Sequence, residues 1–212
     1  MRDCIFLVAD KNMEAAFSGF LSRDEFHQSL GTGRFDFDTE SDIIVDEGGA
    51  DPGVFHRAHE LLRPYLEVYR FAVVALDCNW SGSPGADAIV EGISRRMNGV
   101  GWKTGRFRVI AIDPEIEAWM WQDNVHVASA LRYRGRTALR QHLNNHGWWP
   151  EGAGKPPSPK EAMKWTLRST RRVRSSAVYR EITSEVSVRD CQDGTFRQLA
   201  RTLREWFPPE RA

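Results

Sequence analysis

The sequence predicts an α/β fold, a mostly parallel sheet flanked by helices, followed by a helical and basic C-terminal part. Two apolar runs without polar alternation, residues 4–9 and 71–76, are typical of strands covered on both faces. Segments with helical spacing separate the strand-like runs, and such alternation is characteristic of a parallel sheet. We therefore expect residues 1–122 to form an α/β core and residues 123–212 to form a helical, basic extension packed on it.

The elements of the core follow from hydrophobic periodicity and from Gly- and Pro-rich interruptions. Strands are predicted at residues 4–9, 71–76 and 106–112, with a weaker extended region at 35–45. Helices are predicted at residues 12–21, 55–68, 87–97 and 115–121. Pro114 suits the first position of the last of these helices, and the Gly-rich stretch at residues 48–53 is predicted to be a loop.

The C-terminal part has helical and polar patterns only. Helices are predicted at residues 125–133, 136–146, 158–168 and 195–207. The Gly- and Pro-rich stretch at residues 147–159 is predicted to be a linker or an active-site flap.

Composition excludes several classes of protein. A hydrophobic content of 41% suffices for a core, which excludes a wholly disordered chain. The longest apolar runs fall far short of a membrane span. The three cysteines, Cys4, Cys78 and Cys191, form no CxxC pair, which argues against a disulfide scaffold or a cysteine-rich zinc module. We expect a cytoplasmic protein that does not bind membranes.

The formal charge of zero hides a difference between the two parts of the chain. Residues 1–117 carry 12 basic and 20 acidic side chains, whereas residues 118–212 carry 17 basic and 9 acidic ones. Such asymmetry favours an acidic part that holds cations and a basic part that binds an anionic partner. The alternative is that both parts have ordinary solvated charged faces.

Three predicted strands end in, or just before, a carboxylate: Asp10, Asp77 and Asp113. Parallel strands bring their carboxyl ends to one edge of the sheet, where ligands bind in such folds, so these side chains are expected to converge. Carboxylate oxygens are the ligands that Mg²⁺ and Mn²⁺ prefer. Strand termination or helix capping by each aspartate is the alternative.

Three short motifs carry a resemblance to a known family. They are Asp10-Lys11-Asn12-Met13-Glu14, Asp77-Cys78-Asn79 and Pro114-Glu115-Ile116-Glu117-Ala118-Trp119-Met120. In order and spacing they resemble the motifs of Toprim-like proteins, namely OLD-type and RloB-type proteins and small Toprim-like proteins from bacterial antiphage defence loci.

The resemblance implies a Toprim-like fold and a divalent-metal-dependent nuclease that acts on DNA or RNA. It implies Mg²⁺ or Mn²⁺ as the cofactor, and other subunits of a defence system are candidate partners. The implied metal ligands are Asp10, Glu14, Asp77 and Asn79. The implied catalytic residues are Asp10, Lys11, Glu14, Asp77 and Glu117.

The chain departs from the family pattern at three positions. Asp10 replaces a glutamate, Asn79 replaces an aspartate, and Lys11 replaces a glycine. These departures favour an alternative: a catalytically degenerate Toprim-like subunit that binds a partner protein or nucleic acid within a multigene defence complex. A small-molecule-binding α/β protein of flavodoxin-like type is the alternative at the level of the fold.

Residues 155–180 are rich in cationic side chains, which contact phosphates well. The predicted nucleic-acid-binding residues are Lys155, Lys160, Arg168, Arg171, Arg172 and Arg174. A solvated face, or a surface for an acidic protein, is the alternative.

Histidines and tryptophans have simpler interpretations. The pairs His56–His59 and His142–His146 lack further zinc ligands at suitable spacing, so we interpret them as surface or packing residues. Trp119, Trp121, Trp148 and Trp149 are interpreted as core or lid residues, with base stacking as the alternative.

Overall fold

A computed structural model describes residues 1–48, 50–187 and 191–209. Its centre is a four-stranded sheet in the order β2-β1-β3-β4, and all neighbouring strands are parallel. The strands are β1 (Arg2–Val8), β2 (Ile43–Val45), β3 (Tyr69–Asp77) and β4 (Phe107–Ile112). The predicted α/β class is confirmed. Continuous apolar runs form β1 and β3 because helices cover both faces of the sheet.

Ten α-helices and one 3-10 turn (Arg63–Tyr65) accompany the sheet in the described residues. Those of the N-terminal part are α1 (Lys11–Leu21), α2 (Phe26–Leu30), α3 (Ala50–Leu62), α4 (Ala86–Gly99) and α5 (Glu117–Met120). Those of the C-terminal part are α6 (Val125–Ala130), α7 (Leu139–Asn145), α8 (Pro159–Ser169), α9 (Ser176–Glu185) and α10 (Gly194–Trp206). Within the described ranges, no helix combines the length and apolar composition that a membrane crossing requires.

The connections place the helices in two layers. The chain moves from β1 to β2 through α1 and returns past β1 to β3 through α3, so the direction reverses between β1 and β3. Because parallel crossovers are right-handed, α1 lies on one face of the sheet and α3 and α4 on the other. Two C-terminal helices join the α1 layer: α9 packs on α1, and the rings of Phe20 in α1 and Phe196 in α10 lie 5.5 Å apart. Ligands of such folds bind at the reversal point.

Two sequence predictions near this edge were wrong. The predicted helix at residues 115–121 begins only at Glu117, and Pro114 lies before it. The Pro114 carbonyl accepts hydrogen bonds from the N–H groups of Cys78 and Asn79, and the Ile116 N–H donates to Asp77. These contacts with the end of β3 keep residues 114–116 out of a regular helix. The predicted loop at residues 48–53 instead contains the start of α3, at Ala50.

Two further differences concern local contacts. Of the extended region predicted at 35–45, only β2 pairs with the sheet, because Asp38 and Asp42 form a hydrogen-bonded turn just before it. Helix α9 lies within and beyond the basic segment for which no separate helix was predicted. Its buried residues Val178, Tyr179 and Ile182 have helical spacing, and the helix packs on α1.

Candidate active site at the carboxyl edge of the sheet

The topology places Asp10, Asp77 and Asp113 at the same edge of the sheet, as predicted, but no hydrogen bond joins the three side chains to one another in the described part of the chain. Strands β1, β3 and β4 are parallel neighbours, and each aspartate lies at or just beyond the carboxyl end of its strand. The environments differ, because Asp77 is only 6% exposed whereas Asp10 and Asp113 are exposed. Asp77, next to the reversal point between β1 and β3, is therefore the centre of the candidate site.

The Asp77 carboxylate is buried without a cation. Its Oδ1 accepts a hydrogen bond from the Ile116 N–H at 2.8 Å, and the Asp77 N–H donates to Asp51 Oδ1 at 2.7 Å. Among the described residues, no basic side chain forms an ion pair with it. Burial raises the pKa of Asp77 well above its usual range, and the nearby carboxylates of Asp51 and Glu117 raise this pKa further, against a smaller lowering effect of the Lys160 ammonium.

Asp51 is a site residue that the sequence analysis missed. It lies in the first turn of α3, followed by Pro52, and hydrogen-bonds to the end of β3. Burial raises the pKa of Asp51, and the charge of Asp10 contributes in the same direction. Proline near a helix start is a recognisable pattern, but the flanking glycines led to the prediction of a loop, which hid Asp51 from the list of candidates.

Glu115 is neutralised by Lys160. The Lys160 N–H donates to Glu115 Oε1 at 2.7 Å, and Lys160 Nζ lies 3.6 Å from Glu115 Oε2. Burial raises the pKa of Glu115. For Lys160, burial acts to lower the pKa, but the carboxylates of Glu117, Asp77 and Glu115 outweigh it and the pKa of Lys160 is raised. The start of α8 is thereby fixed to the segment that precedes α5.

Glu117 is the most deeply buried carboxylate of the edge, with no exposed surface. Its Oε1 accepts hydrogen bonds from Arg174 Nη2, at 3.0 Å, and from the Tyr179 hydroxyl. Burial raises the pKa of the Tyr179 hydroxyl, and the charge of Glu117 raises it further. Glu117 Oε2 is buried and has no hydrogen-bond partner in the described part of the chain.

These residues form one electrostatically coupled group, called here the carboxylate cluster: Asp10, Asp51, Asp77, Glu115 and Glu117. The two basic side chains that pair with it, Lys160 and Arg174, neutralise two of the five carboxylates. A buried excess of negative charge favours either protonation or the uptake of a cation. The cluster can therefore act as a cation site or as a proton store.

The described residues include no group of three or more His, Cys, Asp or Glu side chains arranged to hold a metal ion. In proteins Mg²⁺ is usually bound by one or two carboxylates and completes its shell with water and substrate phosphates. Asp77 and Asp51, joined through the Asp77 N–H, are the two carboxylates with that character.

The other implied ligands have different surroundings. Asp10 Oδ1 caps α1 by accepting hydrogen bonds from the N–H groups of Asn12 and Met13, at 2.9 and 2.8 Å. Glu14 Oε2 lies 3.0 Å from Lys11 Nζ, and Asn79 is exposed on the loop after β3. In the described chain, no hydrogen bond or ion pair joins Glu14 or Asn79 to Asp77.

Four of the six residues predicted to bind nucleic acid pair with carboxylates of the chain itself. Besides Lys160 and Arg174 in the cluster, Lys155 lies 3.4 Å from Asp193 and Arg172 lies 2.6 Å from Glu181. The remaining two, Arg168 and Arg171, are exposed and form no ion pair among the described residues, although the charge of Arg168 acts on Glu161. Most of this segment therefore holds the fold together, a use that the charge pattern alone does not distinguish from phosphate binding.

Comparisons with protein families, with curated proteins and with solved structures find no match to this chain.

Proposed function

We propose that the protein is a divalent-metal-dependent nuclease whose active site is the carboxylate cluster. One observation carries the proposal: Asp77 is a buried carboxylate that forms no ion pair in the described part of the chain, adjacent to Asp51, at the reversal point of a parallel sheet. Burying a carboxylate charge without an ion pair lowers the stability of the fold. Such destabilising groups are typical of functional sites, where the chemistry requires the charge. The motif resemblance supports the same reading and adds an antiphage setting.

In this proposal Asp77 and Asp51 hold Mg²⁺ or Mn²⁺, with the exposed carboxylate of Asp10 beside them. The metal supplies charge stabilisation at the phosphate and lowers the pKa of bound water. Hard carboxylate oxygens and an excess of negative charge are the donor set that these ions require.

The chain's own residues orient the site. Ile116 N–H fixes one oxygen of Asp77 and leaves the other free to face a cation. Lys160 lies among Glu115, Glu117 and Asp77, where its ammonium limits the repulsion between carboxylates. Lys11, exposed at the start of α1 and paired with Glu14, would contact a phosphate that approaches this edge.

A second candidate, the catalytically degenerate binding subunit, is favoured by a specific observation. Lys160 and Arg174 already neutralise Glu115 and Glu117, and Lys11 pairs with Glu14. Internal cations can replace a metal in holding carboxylates together. In that case the edge is structural and the protein acts by binding a partner.

The test is hydrolysis of end-labelled single-stranded and duplex DNA and RNA by the purified full chain with Mg²⁺, with Mn²⁺ or with EDTA. Cleavage is expected with metal only. Asp77→Asn keeps the oxygen that accepts from Ile116 and removes the charge, so it should lower the rate by at least about 100-fold. The matched control is Glu67→Gln, which alters an exposed carboxylate near the opposite edge, just before β3, and should leave the rate unchanged.

Two results would reject the nuclease. No cleavage of any of the four substrates would leave the binding subunit as the function. Cleavage that Asp77→Asn does not affect would show that the hydrolysis arises elsewhere or from a contaminant.

A further inference from the structure

A cluster of aromatic rings lies on the surface of the C-terminal part, outside the carboxylate cluster. Trp165 of α8 is at its centre, with its ring 5.4 Å from that of His142 and 4.9 Å from that of His146. Trp148 lies 6.1 Å from Trp165, and Tyr133 lies 5.0 Å from His142. We call these five residues the aromatic surface cluster.

The side chains of the aromatic surface cluster are only partly buried, and three of them pack against the core. Tyr133, Trp148 and Trp165 are partly exposed and pack against the hydrophobic core. His142 is partly exposed and His146 is exposed. By contrast, Trp149, the neighbour of Trp148, is fully buried and donates its indole N–H to the Ala153 carbonyl. The rings of Tyr133, Trp148 and Trp165 thus expose aromatic surface to water on one side and pack against the core on the other.

Arginines flank this cluster without carboxylate partners. Arg132, Arg134 and Arg136 are exposed on the segment that carries Tyr133, and Arg168 is exposed one helical turn beyond Trp165. Within the described chain none of the four pairs with an Asp or Glu. Between Asp123 and Glu151 the sequence contains no acidic residue at all. This differs from residues 155–180, where carboxylates occupy most of the cations.

Helix α8 connects this surface to the candidate active site. Lys160, Lys164 and Arg168 are four residues apart, so they lie along one side of the helix. Lys160 reaches Glu115 in the carboxylate cluster, and Arg168 lies about 12 Å further along the helix axis. A chain of phosphates that follows this side would pass from the aromatic rings to the carboxyl edge of the sheet.

We propose that the aromatic surface cluster, with Arg132, Arg134, Arg136 and Arg168, binds single-stranded nucleic acid. Partly exposed rings beside unpaired cations are the combination that single strands require, because bases stack on the rings while cations contact the phosphates. A duplex keeps its bases stacked inside and would use only the cations. The inference rests on the proposed function in one respect: it names single-stranded nucleic acid as the substrate of the nuclease. Binding itself is measured without cleavage.

The experiment is fluorescence anisotropy in EDTA with the full chain, using labelled oligodeoxythymidylate of about 20 nucleotides and a duplex of the same length. The single strand should bind at least about tenfold more tightly than the duplex. Trp165→Ala should weaken single-strand binding by about 5- to 150-fold, the range expected for losing one stacked base. Trp165→Phe, which keeps a ring, should weaken it by less than about threefold.

Surface variants keep the test informative if Trp165→Ala does not fold. His146→Ala should weaken single-strand binding with little effect on the duplex. Arg134→Ala should flatten the log–log salt dependence by about 0.7, because one phosphate contact is lost. Arg95→Ala, on α4 at the other face of the sheet, is the matched control and should leave the slope unchanged.

Equal affinity for the two ligands, single-strand binding that neither Trp165→Ala nor His146→Ala weakens, or no nucleic acid binding at low salt would overturn the inference. The last result would assign the surface to a protein partner. The two proposals fail separately: single-strand binding without metal-dependent cleavage rejects only the nuclease, whereas metal-dependent cleavage by a chain that binds single strand and duplex equally in EDTA rejects only the single-strand surface.

Discussion

The carboxylate cluster has two halves that differ in how their charge is balanced. In the cation-paired half, Glu115 and Glu117 bind Lys160 and Arg174. In the other half, called here the cation-free half because neither carboxylate forms an ion pair among the described residues, Asp51 and Asp77 contact each other through a backbone N–H and have raised pKa values, chiefly because of burial. One sheet edge therefore combines carboxylates that stabilise the fold with carboxylates that lower its stability. Carboxylates of the second kind are the better candidates for functional residues.

The largest effect is expected in the cation-paired half. Arg174→Ala leaves Glu117 buried with only the Tyr179 hydroxyl as a partner, and breaking a buried pair in this way is strongly destabilising. Because Arg174 is itself 31% exposed, we expect the lower end of the range, about 3 kcal/mol. That corresponds to a fall in Tm of about 6–12 °C, measured by calorimetry.

A control separates the ion pair from helix packing. Arg172→Ala removes a neighbouring arginine that is only 12% exposed but pairs with the half-exposed Glu181, so it leaves no buried carboxylate unpaired and should cost about 1 kcal/mol, mostly from lost packing. Equal losses in the two variants would mean that the Glu117 pair has no special weight.

The cation-free half should respond with the opposite sign. Asp77→Asn removes a buried charge, keeps the acceptor for Ile116 and should raise the Tm of the metal-free protein by about 2–4 °C, or about 1 kcal/mol. A fall in Tm would show that the Asp77 charge is already balanced inside the protein.

The same pair of proteins predicts a pH dependence. Asp77 has a raised pKa in the folded state, so its contribution to stability is greatest below its unfolded pKa of about 4 and is lost as the pH rises toward the folded pKa. The Tm gap between Asp77→Asn and the native chain should be near zero at pH about 4, widen as the pH rises and then become constant. Melting curves across this range measure it, and a gap that narrows with pH would contradict the raised pKa.

The smallest effect is expected for an exposed ion pair. Arg95 and Glu91 lie 2.6 Å apart on α4, and both side chains are mostly exposed. Surface pairs contribute little, so Arg95→Ala should change the free energy of unfolding by less than about 1 kcal/mol in urea denaturation. A larger loss would mean that distance, rather than burial, governs these pairs.

The sequence predicted the fold more completely than the residues of the candidate site. Continuous apolar runs at 4–9 and 71–76 predict buried parallel strands, because a strand covered on both faces has apolar residues at every position. The edge position of Asp77 follows from the same runs. Asp51 and Tyr179 could not be assigned in this way, since both reach the site through tertiary packing: α3 hydrogen-bonds to β3, and α9 packs on α1.

The charge pattern of the sequence did not predict which groups the basic side chains contact. Lys160 and Arg174 were predicted to contact phosphates, whereas the structure pairs them with Glu115 and Glu117, more than 40 residues earlier in the chain. A run of cations in a sequence does not reveal which of them have internal carboxylate partners. The exposed arginines near Tyr133 are less dense in sequence and are the ones without such partners.

The most direct test of the cation-free half is a titration of Mn²⁺ into the full chain, with free Mn²⁺ followed by electron paramagnetic resonance. We expect one Mn²⁺ bound per chain at micromolar to millimolar concentration, with loss of binding in Asp77→Asn and unchanged binding in Glu67→Gln. Binding that is absent in the native chain, or equal in native and Asp77→Asn proteins, would contradict the assignment of Asp77 as the centre of a metal site.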